Sequence, residues 1–190
     1  MKVSIVTISL NQAPYLERAM RSILDQNHTD IEYIVVDPVS TEVIRNAFNA
    51  IAEDMGAILN RSAYSPVIYE CHDYGAALFN EKAETLGQAP GLPLFTGGLD
   101  AGIVATIEKY GAGGIADGDV FIVNDSYITG GHLNDVDIIG AIRFQKQLVG
   151  FACIRAHWSD VGMADPGFPV NTTQIYQGGL RLPPTRIMTD

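Results

Sequence analysis

The stretch Gly118-Asp-Val-Phe-Ile-Val-Asn-Asp-Ser-Tyr-Ile-Thr-Gly-Gly-His-Leu-Asn-Asp135 decides the fold of this chain. Its apolar run, Val120 to Val123, predicts a buried β-strand. The loop that follows is rich in glycine and aspartate and contains His132 and Asp135, and His157 comes further along the chain. Two imidazoles and one carboxylate form a mixed nitrogen and oxygen ligand set for a divalent metal ion, which leaves coordination positions for water or substrate.

A β-hairpin is predicted directly after this loop. The segments Ile138–Phe144 and Leu148–Ala156 are rich in Ile, Val, Leu and Phe, and the three residues Gln145 to Gln147 connect them. Three residues are a common length for a hairpin connection. The sequence therefore predicts two antiparallel strands that lead away from the turn towards the candidate ligands.

The pairing of these strands predicts which residues meet. If the turn centres on Lys146, extension of both strands places Asp135 opposite His157 and Asp137 opposite Arg155. Directly opposed side chains have Cβ atoms about 5 Å apart, which is close enough to share one ion. Asp137 and Arg155 then form a charged pair that supports the ligands. A slip of one residue would send these side chains to opposite faces of the sheet.

A purely structural interpretation of the same residues is also open. Asp135 can cap a turn, and His157 can be a buried imidazole with a hydrogen-bond partner. The ligand types also occur in non-haem iron oxygenases, but this hairpin arrangement does not by itself identify iron.

Several motifs follow one another from residue 37 to residue 190. They are Asp37-Pro38-Val39-Ser40-Thr41-Glu42, Ala52-Glu53-Asp54-Met55-Gly56, Arg61-Ser62-Ala63-Tyr64-Ser65-Pro66, Gly118-Asp119-Val120-Phe121, Gly131-His132-Leu133-Asn134-Asp135, Arg155-Ala156-His157-Trp158-Ser159-Asp160 and Tyr176-Gln177-Gly178-Gly179-Leu180-Arg181-Leu182-Pro183-Pro184. In this order they resemble the N-terminal part of the hydantoinase B/oxoprolinase family, which includes the large subunits of acetone and acetophenone carboxylases.

The resemblance implies a fragment, subunit or domain of an ATP-dependent enzyme that opens cyclic amides such as hydantoins and 5-oxoproline, or of one that carboxylates ketones. His132, Asp135 and His157 would hold a divalent metal, manganese by preference and iron or zinc otherwise, which polarises the substrate carbonyl. A partner, the hydantoinase A-like ATPase subunit, would handle ATP. Neither the resemblance nor the residues identify a general base. Because family members are much longer, we expect residues 38–190 to be a truncated domain that is catalytically incompetent alone.

Residues 1–37 predict a separate βαβ segment. Lys2 to Leu10 and Ile31 to Val36 are typical of strands, and Tyr15 to Leu24 is typical of a helix. The motifs Val3-Ser4-Ile5-Val6-Thr7-Ile8, Tyr15-Leu16-Glu17-Arg18-Ala19 and Tyr33-Ile34-Val35-Val36-Asp37 resemble the start of a family 2 glycosyltransferase. In that family Asp37 would contact the nucleotide of a sugar donor.

Two resemblances in one chain indicate a chimera, with a glycosyltransferase-like segment at 1–37 and a hydantoinase-B-like domain at 38–190. The alternative functions are a glycosyltransferase fragment and a truncated domain that only associates with other proteins. The first segment can also be simply an N-terminal extension of this protein.

The fold class that follows is α/β (α+β): a βαβ-like segment, a long amphipathic helix, then a mixed or antiparallel sheet that carries the hairpin. The helix is predicted from Thr41 to Asn60, with a core-facing stripe made by Ile44, Phe48, Ile51, Met55 and Ile58. Leu86 to Gly98 predicts a loop. Asp100 to Tyr110 predicts a second helix that turns Ile103, Val104 and Ile107 inward.

Composition excludes several classes of protein. Hydrophobic residues make up 47% and charged residues 18% of the 190 positions, as in a globular protein. The net charge of −10 argues against a nucleic-acid partner and against anionic membranes. The two cysteines, Cys71 and Cys153, form no disulfide framework or zinc-finger pattern and suit a reducing compartment. With no signal peptide or membrane span in the sequence, we expect a cytoplasmic protein.

Overall fold

A computed structural model describes residues 3–8, 15, 18, 21–22, 25, 31–36, 41–91, 93–166 and 171–189. The chain divides into two compact units, Met1–Ala47 and Phe48–Asp190. Asp37 and most of the helix expected over residues 15–24 lie outside the described residues. The domain boundary at residue 37 stays a prediction.

The first unit contains the two strands expected near the N-terminus. Strand β1, Val3–Ile8, pairs in parallel with β2, Ile31–Val36, so that Val3 lies opposite Ile31. A parallel pair needs a crossover connection, and the residues between the two strands are numerous enough for one.

The predicted long helix is present as α1, Thr41–Ser62. The expectation that its apolar stripe faces the core is wrong, because Ile44, Ile51 and Ile58 are 44%, 48% and 58% exposed. The helix instead buries its small residues Ala52 and Gly56.

A close approach between α1 and the sheet explains this difference. A Cβ added to Gly87 would lie 2.6 Å from the backbone carbonyl carbon of Phe48, and one added to Gly56 would lie 3.2 Å from the Tyr74 ring. Small side chains allow this spacing, so the bulky isoleucines of α1 point away from it.

The second unit contains a six-stranded sheet. Its strands are β3 Tyr74–Asn80, β4 Thr85–Gln88, β5 Val120–Val123, β6 Asp135–Phe144, β7 Gln147–His157 and β8 Thr185–Met188. The helices are α2 Pro66–Tyr69, α3 Pro93–Thr96, α4 Leu99–Tyr110 and α5 Ser126–Thr129, with 3₁₀ turns at Ala112–Gly114 and Ile175–Gly178.

The strand order is β4-β3-β7-β6-β5-β8, and every neighbouring pair is antiparallel. The predicted strand Val120–Val123 is therefore confirmed as β5, and the two predicted hairpin strands are confirmed as β6 and β7. These two strands occupy the centre of the sheet, which is the most rigid place for a site built on them.

One hydrophobic core joins the sheet to α4. Its largest fully buried side chains are Phe121, Phe151, Leu99, Ile103, Ile115 and Ile139. Helix α4 fits closely because Gly102 faces the sheet, where an added Cβ would lie 3.2 Å from Val123 Cγ1. The helix follows the prediction, except that Val104 is 43% exposed, since the buried face runs through Leu99, Ile103 and Thr106.

The loop predicted over residues 86–98 is only partly a loop. Residues Thr85–Gln88 form β4 and Pro93–Thr96 form α3. The sequence hides β4 because the strand is short and contains Gly87, which weakens a strand pattern but is needed for the approach of α1. No helix in the described part of the chain is long and apolar enough to cross a membrane.

The hairpin turn is tighter than predicted. Phe144 pairs with Gln147, so only Gln145 and Lys146 form the connection, and both have positive φ angles of 48° and 68°. Positive φ at both positions is typical of a type I′ turn. The register then shifts between Ile142 and Arg143, where Val149 is left as an extra residue in β7. This is a β-bulge.

Candidate metal centre

Three elements bring the predicted ligands together. Asp135 is the first residue of β6 and His157 is the last residue of β7, and the two are direct partners in the sheet. His132 lies in the loop between α5 and β6. This loop starts at Gly130, whose φ of 72° ends α5. The predicted pairing of Asp135 with His157 is confirmed.

The loop closes tightly around the Asp135 carboxylate. The backbone N–H of His132 donates to Asp135 Oδ2 at 2.8 Å, and His132 Nδ1 lies 3.4 Å from the same oxygen. A Cβ on Gly131 would lie 2.9 Å from Asp135 Oδ2, so any larger residue there would displace the carboxylate. On the other side, His157 Nδ1 lies 2.9 Å from Asp135 Oδ1.

The donor atoms fit one divalent ion. One ligand atom from each of His132, Asp135 and His157 lies within 4.8 Å of the others. Ligands about 2.0–2.2 Å from a common ion lie at most about 4.4 Å apart, so a small approach of these side chains is enough for them to share one ion. Asp135 and His157 are buried, whereas the His132 side chain is 57% exposed and faces the open side. His157 Nδ1 and Asp135 Oδ1 also share a hydrogen bond.

The hydrogen bond between Asp135 and His157 shifts the pKa of both side chains. Burial by itself raises the pKa of the Asp135 carboxyl, but hydrogen bonds from His157 and from the His132 backbone outweigh it, and the pKa is lowered. The hydrogen bond with Asp135 raises the pKa of His157 against the opposing effect of burial. The carboxylate is therefore ionised, which is the form that binds a cation.

Asp137 and Arg155 form a buried ion pair next to the ligands. Arg155 Nε and Nη2 donate to the two carboxylate oxygens of Asp137 at 2.5 and 2.8 Å. Burial raises the pKa of Asp137 to about 6, although Arg155 acts against this. Because Asp137 is 0% and Arg155 2% exposed, each charged side chain needs the other as its counterion.

Arg155 also fixes the backbone that leads to His132. Its Nη1 donates to the Gly97 carbonyl at 2.9 Å and its Nη2 to the Thr129 carbonyl at 3.4 Å. Gly98 lies against Thr129, where an added Cβ would be 2.5 Å from the carbonyl oxygen. Arg155 thus connects α4, α5 and the central strands at one point.

Two buried amides hold the same loop and were not singled out from the sequence. Asn124 Nδ2 donates to the Leu133 and Leu180 carbonyls at 2.6 and 2.9 Å, and its Oδ1 accepts from the Leu182 N–H at 2.6 Å. Asn134 Nδ2 donates to the Trp158 carbonyl at 2.7 Å. No sequence signal distinguishes them from turn asparagines, since their partners are distant in the chain.

Asp73 is a further carboxylate near His157 that the sequence did not point to. It precedes β3, which pairs with β7 so that Tyr74 lies opposite Ala156. The His157 N–H donates to the Asp73 carbonyl at 3.0 Å, and Asp73 Oδ2 lies 4.0 Å from His157 Nδ1. The pairing of β3 with β7 would have revealed it, but the sequence does not show which strand lies beside β7.

An open cavity of about 380 Å³ adjoins the exposed side of His132. One wall belongs to the ligand loop, and the other belongs to residues 172–178. Gln177 Oε1 accepts from the N–H groups of Thr173 and Gln174, which fixes the second wall. The volume lies in the range of small-molecule sites, about 300–1,000 Å³.

Comparison with known proteins shows which family the chain is similar to. Residues 37–190 match the family model described as Hydantoinase B/oxoprolinase. Residues 4–64 match the family model described as Glycosyl transferase family 2, and the two matches overlap over residues 37–64.

Several relatives share moderate sequence identity with the chain. The β subunit of caprolactamase from Pseudomonas jessenii is 30% identical over 153 residues, which are 80% of this chain and 26% of that protein. The 5-oxoprolinase of Saccharomyces cerevisiae is 32% identical over 146 residues, 76% of this chain and 11% of that protein. An uncharacterised protein of Methanocaldococcus jannaschii is 35% identical over 156 residues, 80% of this chain and 28% of its own length.

The fold is also found in solved structures. The crystal structure of an ATP-dependent caprolactamase from Pseudomonas jessenii matches with a TM-score of 0.70 and 29% identity, over 80% of this chain and 26% of that chain. The present chain therefore spans between about a tenth and three tenths of the length of these proteins.

Proposed function

Because the chain belongs to the hydantoinase B/oxoprolinase family, we propose that it carries the divalent-metal centre of an enzyme that acts on the carbonyl of a cyclic amide or a ketone. His132, Asp135 and His157 would hold the ion, with manganese preferred and iron or zinc as alternatives. The proposal is carried by one observation: one ligand atom of each residue lies within 4.8 Å of the others, beside an open cavity.

The chemistry would be divided between the ion and the chain. When bound, the ion would polarise the carbonyl oxygen of the substrate as a Lewis acid. Asp135 keeps its orientation through the His132 N–H and the His157 ring. Asp137 and Arg155 hold the strands and the loop that present the ligands. Asp73 is close enough to His157 to be a further oxygen ligand.

A partner would supply the energy of the reaction. The solved relative is an ATP-dependent caprolactamase, and the curated relative is its subunit beta. We therefore assign ATP to a separate hydantoinase A-like subunit, and the metal centre to the part of the enzyme that this chain represents.

Metal content tests the proposal most directly. The purified chain is supplied with Mn²⁺, Fe²⁺ or Zn²⁺, dialysed, and measured by mass spectrometry beside the double variant His132→Ala/His157→Ala. His72→Ala is the matched control, because it removes a histidine next to Asp73 that is not part of the ligand group. Near-stoichiometric metal in the parent and in the control, but not in the double variant, is expected.

The opposite result is equally clear. If folded parent protein retains no metal, or if the double variant retains as much as the parent, the centre proposed here is wrong. A positive result leads to a second step, in which the ATPase subunit is added and ring opening of hydantoin, 5-oxoproline and caprolactam is measured.

The glycosyltransferase match supports a second candidate function for the N-terminal unit. Residues 4–64 match that family, and β1 and β2 form the parallel pair that a nucleotide-binding βαβ unit needs. In this proposal Asp37 contacts the nucleotide of a sugar donor. Saturable binding of a uridine diphosphate sugar that is lost in Asp37→Asn would support it, and the absence of binding would reject it.

A further inference from the structure

The cavity beside His132 offers neutral hydrogen-bonding groups. Hydroxyls and amides line it, from Ser126, Asn134, Thr172, Thr173 and Gln174. Leu133, Met163 and Ile175 supply its apolar surface. Among the described lining residues there is no lysine, arginine, aspartate or glutamate.

The cations nearest to the cavity are already paired. Arg155 is buried against Asp137 and binds two backbone carbonyls. Arg181 Nε lies 3.6 Å from Asp125 Oδ2, and its guanidinium carbon lies 5.7 Å from the centre of the Tyr127 ring. None of these partners is a residue that lines the cavity.

Two carboxylates lie at the metal-centre end of the cavity. Asp135 and Asp73 lie 2.9 and 4.0 Å from His157 Nδ1, and together they would offset the two positive charges of a bound divalent ion. A substrate carboxylate that left water for this cavity would therefore gain no net positive charge from the loaded centre and would meet no described lysine or arginine in the lining. The N–H and carbonyl groups of an uncharged ring amide would instead find hydroxyl and amide partners.

We propose that this site selects uncharged ring amides and discriminates against ring amides that carry a carboxylate. The inference rests on the proposed function and adds the charge of its substrate. Hydantoin and simple lactams, which carry no charge, would therefore be preferred over 5-oxoproline, which carries a carboxylate.

A matched pair of ligands tests this selectivity. 2-Pyrrolidone and L-5-oxoproline have the same five-membered lactam ring and differ only in the carboxylate. Each is titrated against the Zn²⁺-loaded full chain, and against the metal-free chain, with ligand-observed saturation-transfer NMR. We expect 2-pyrrolidone to bind at least about tenfold more tightly, because the unpaired carboxylate must be desolvated.

Two variants at one position sharpen the test. Thr172→Arg places a cation on the cavity wall, and Thr172→Gln places a neutral side chain of comparable reach at the same position. The ratio of 5-oxoproline affinity to 2-pyrrolidone affinity should be about tenfold higher in the arginine variant than in the glutamine variant. Arg181→Gln should leave the preference unaltered. If it weakens 5-oxoproline binding instead, Arg181 serves the carboxylate and the proposal fails.

The remaining outcomes separate this inference from the proposed function. Equal or tighter binding of 5-oxoproline by the parent protein overturns the selectivity, whether or not metal binds. Failure of both ligands to bind at tens of millimolar also overturns it. Failure to retain metal rejects the proposed function alone, since the ligand comparison is still read on the metal-free chain.

Discussion

Asp135 lies directly opposite His157 because a bulge in β7 shifts the register that the two-residue turn of the β6–β7 hairpin sets. The two-residue turn by itself would pair Asp135 with Ala156. The bulge at Val149 adds one residue to β7 and moves His157 into that place. Since side chains alternate along a strand, the bulge decides whether a histidine or an alanine faces the carboxylate.

Replacement of the two hairpin-turn residues should stabilise the protein. Gln145 and Lys146 both hold positive φ, which suits Asn-Gly far better. The double change Gln145→Asn/Lys146→Gly should raise the free energy of unfolding by about 1 kcal/mol, measured by urea denaturation. Lys146→Ala keeps a Cβ at the strained position and should give no gain. Equal stabilisation by both would show that backbone strain is not the cause.

The buried ion pair predicts a large loss when one partner is removed. Arg155→Met leaves the Asp137 carboxylate without its cation and should lower the free energy of unfolding by about 3–5 kcal/mol. Arg143→Met is the control, since Arg143 binds only backbone carbonyls nearer the surface, and should cost on the order of 1–2 kcal/mol. Urea denaturation of both variants gives the comparison, and a smaller loss in Arg155→Met would contradict the argument.

Removal of the Asn124 side chain should weaken metal binding more than it weakens folding. Asn124→Ala frees the Leu133 carbonyl, which directly follows His132, and should weaken metal binding about 10–100-fold. Asn80→Ala is the matched control, because the Asn80 side chain also binds the backbone, its Oδ1 accepting from two N–H groups, but in the β3–β4 turn. Isothermal titration with Zn²⁺, well below the unfolding temperature of either variant, measures both. Similar weakening in the two would mean that Asn124 acts only through stability.

The two cysteines should react at different rates. Cys71 is exposed, whereas Cys153 is 0% exposed in the core. Burial also raises the pKa of the Cys153 thiol, which suppresses its reactive thiolate. A disulfide reagent should therefore modify one thiol per native chain and two in denaturant. Substitution Cys71→Ser should abolish the native reaction, and persistence of that reaction would show that Cys153 is accessible.

The sequence predicted those elements whose signal is local. Strand β5, helix α4 and the hairpin strands follow from apolar runs and from the turn between them. The pairing of Asp135 with His157 was also predicted, although by a longer turn without a bulge, because both routes align the same residues. The metal centre itself stays a prediction that metal analysis must test.

The remainder depended on contacts between distant parts of the chain. The exposed stripe of α1 could not be foreseen, because the helix pattern does not show that Ala52 and Gly56 would be buried in place of the isoleucines. Asn124, Asn134 and Asp73 were missed for a similar reason: their partners are brought to them by strand pairing and by the 180–182 segment.

The position of the site at the far end of the hairpin couples it to the whole sheet. Asp135 and His157 are the pair most distant from the turn, on the two central strands. An ion held between them would bind a hairpin whose strands are paired as far as this end. By mass action, an ion at 100 times its dissociation constant would add about 2.7 kcal/mol of resistance to unfolding. That resistance would be shared by all strands that pair with the hairpin.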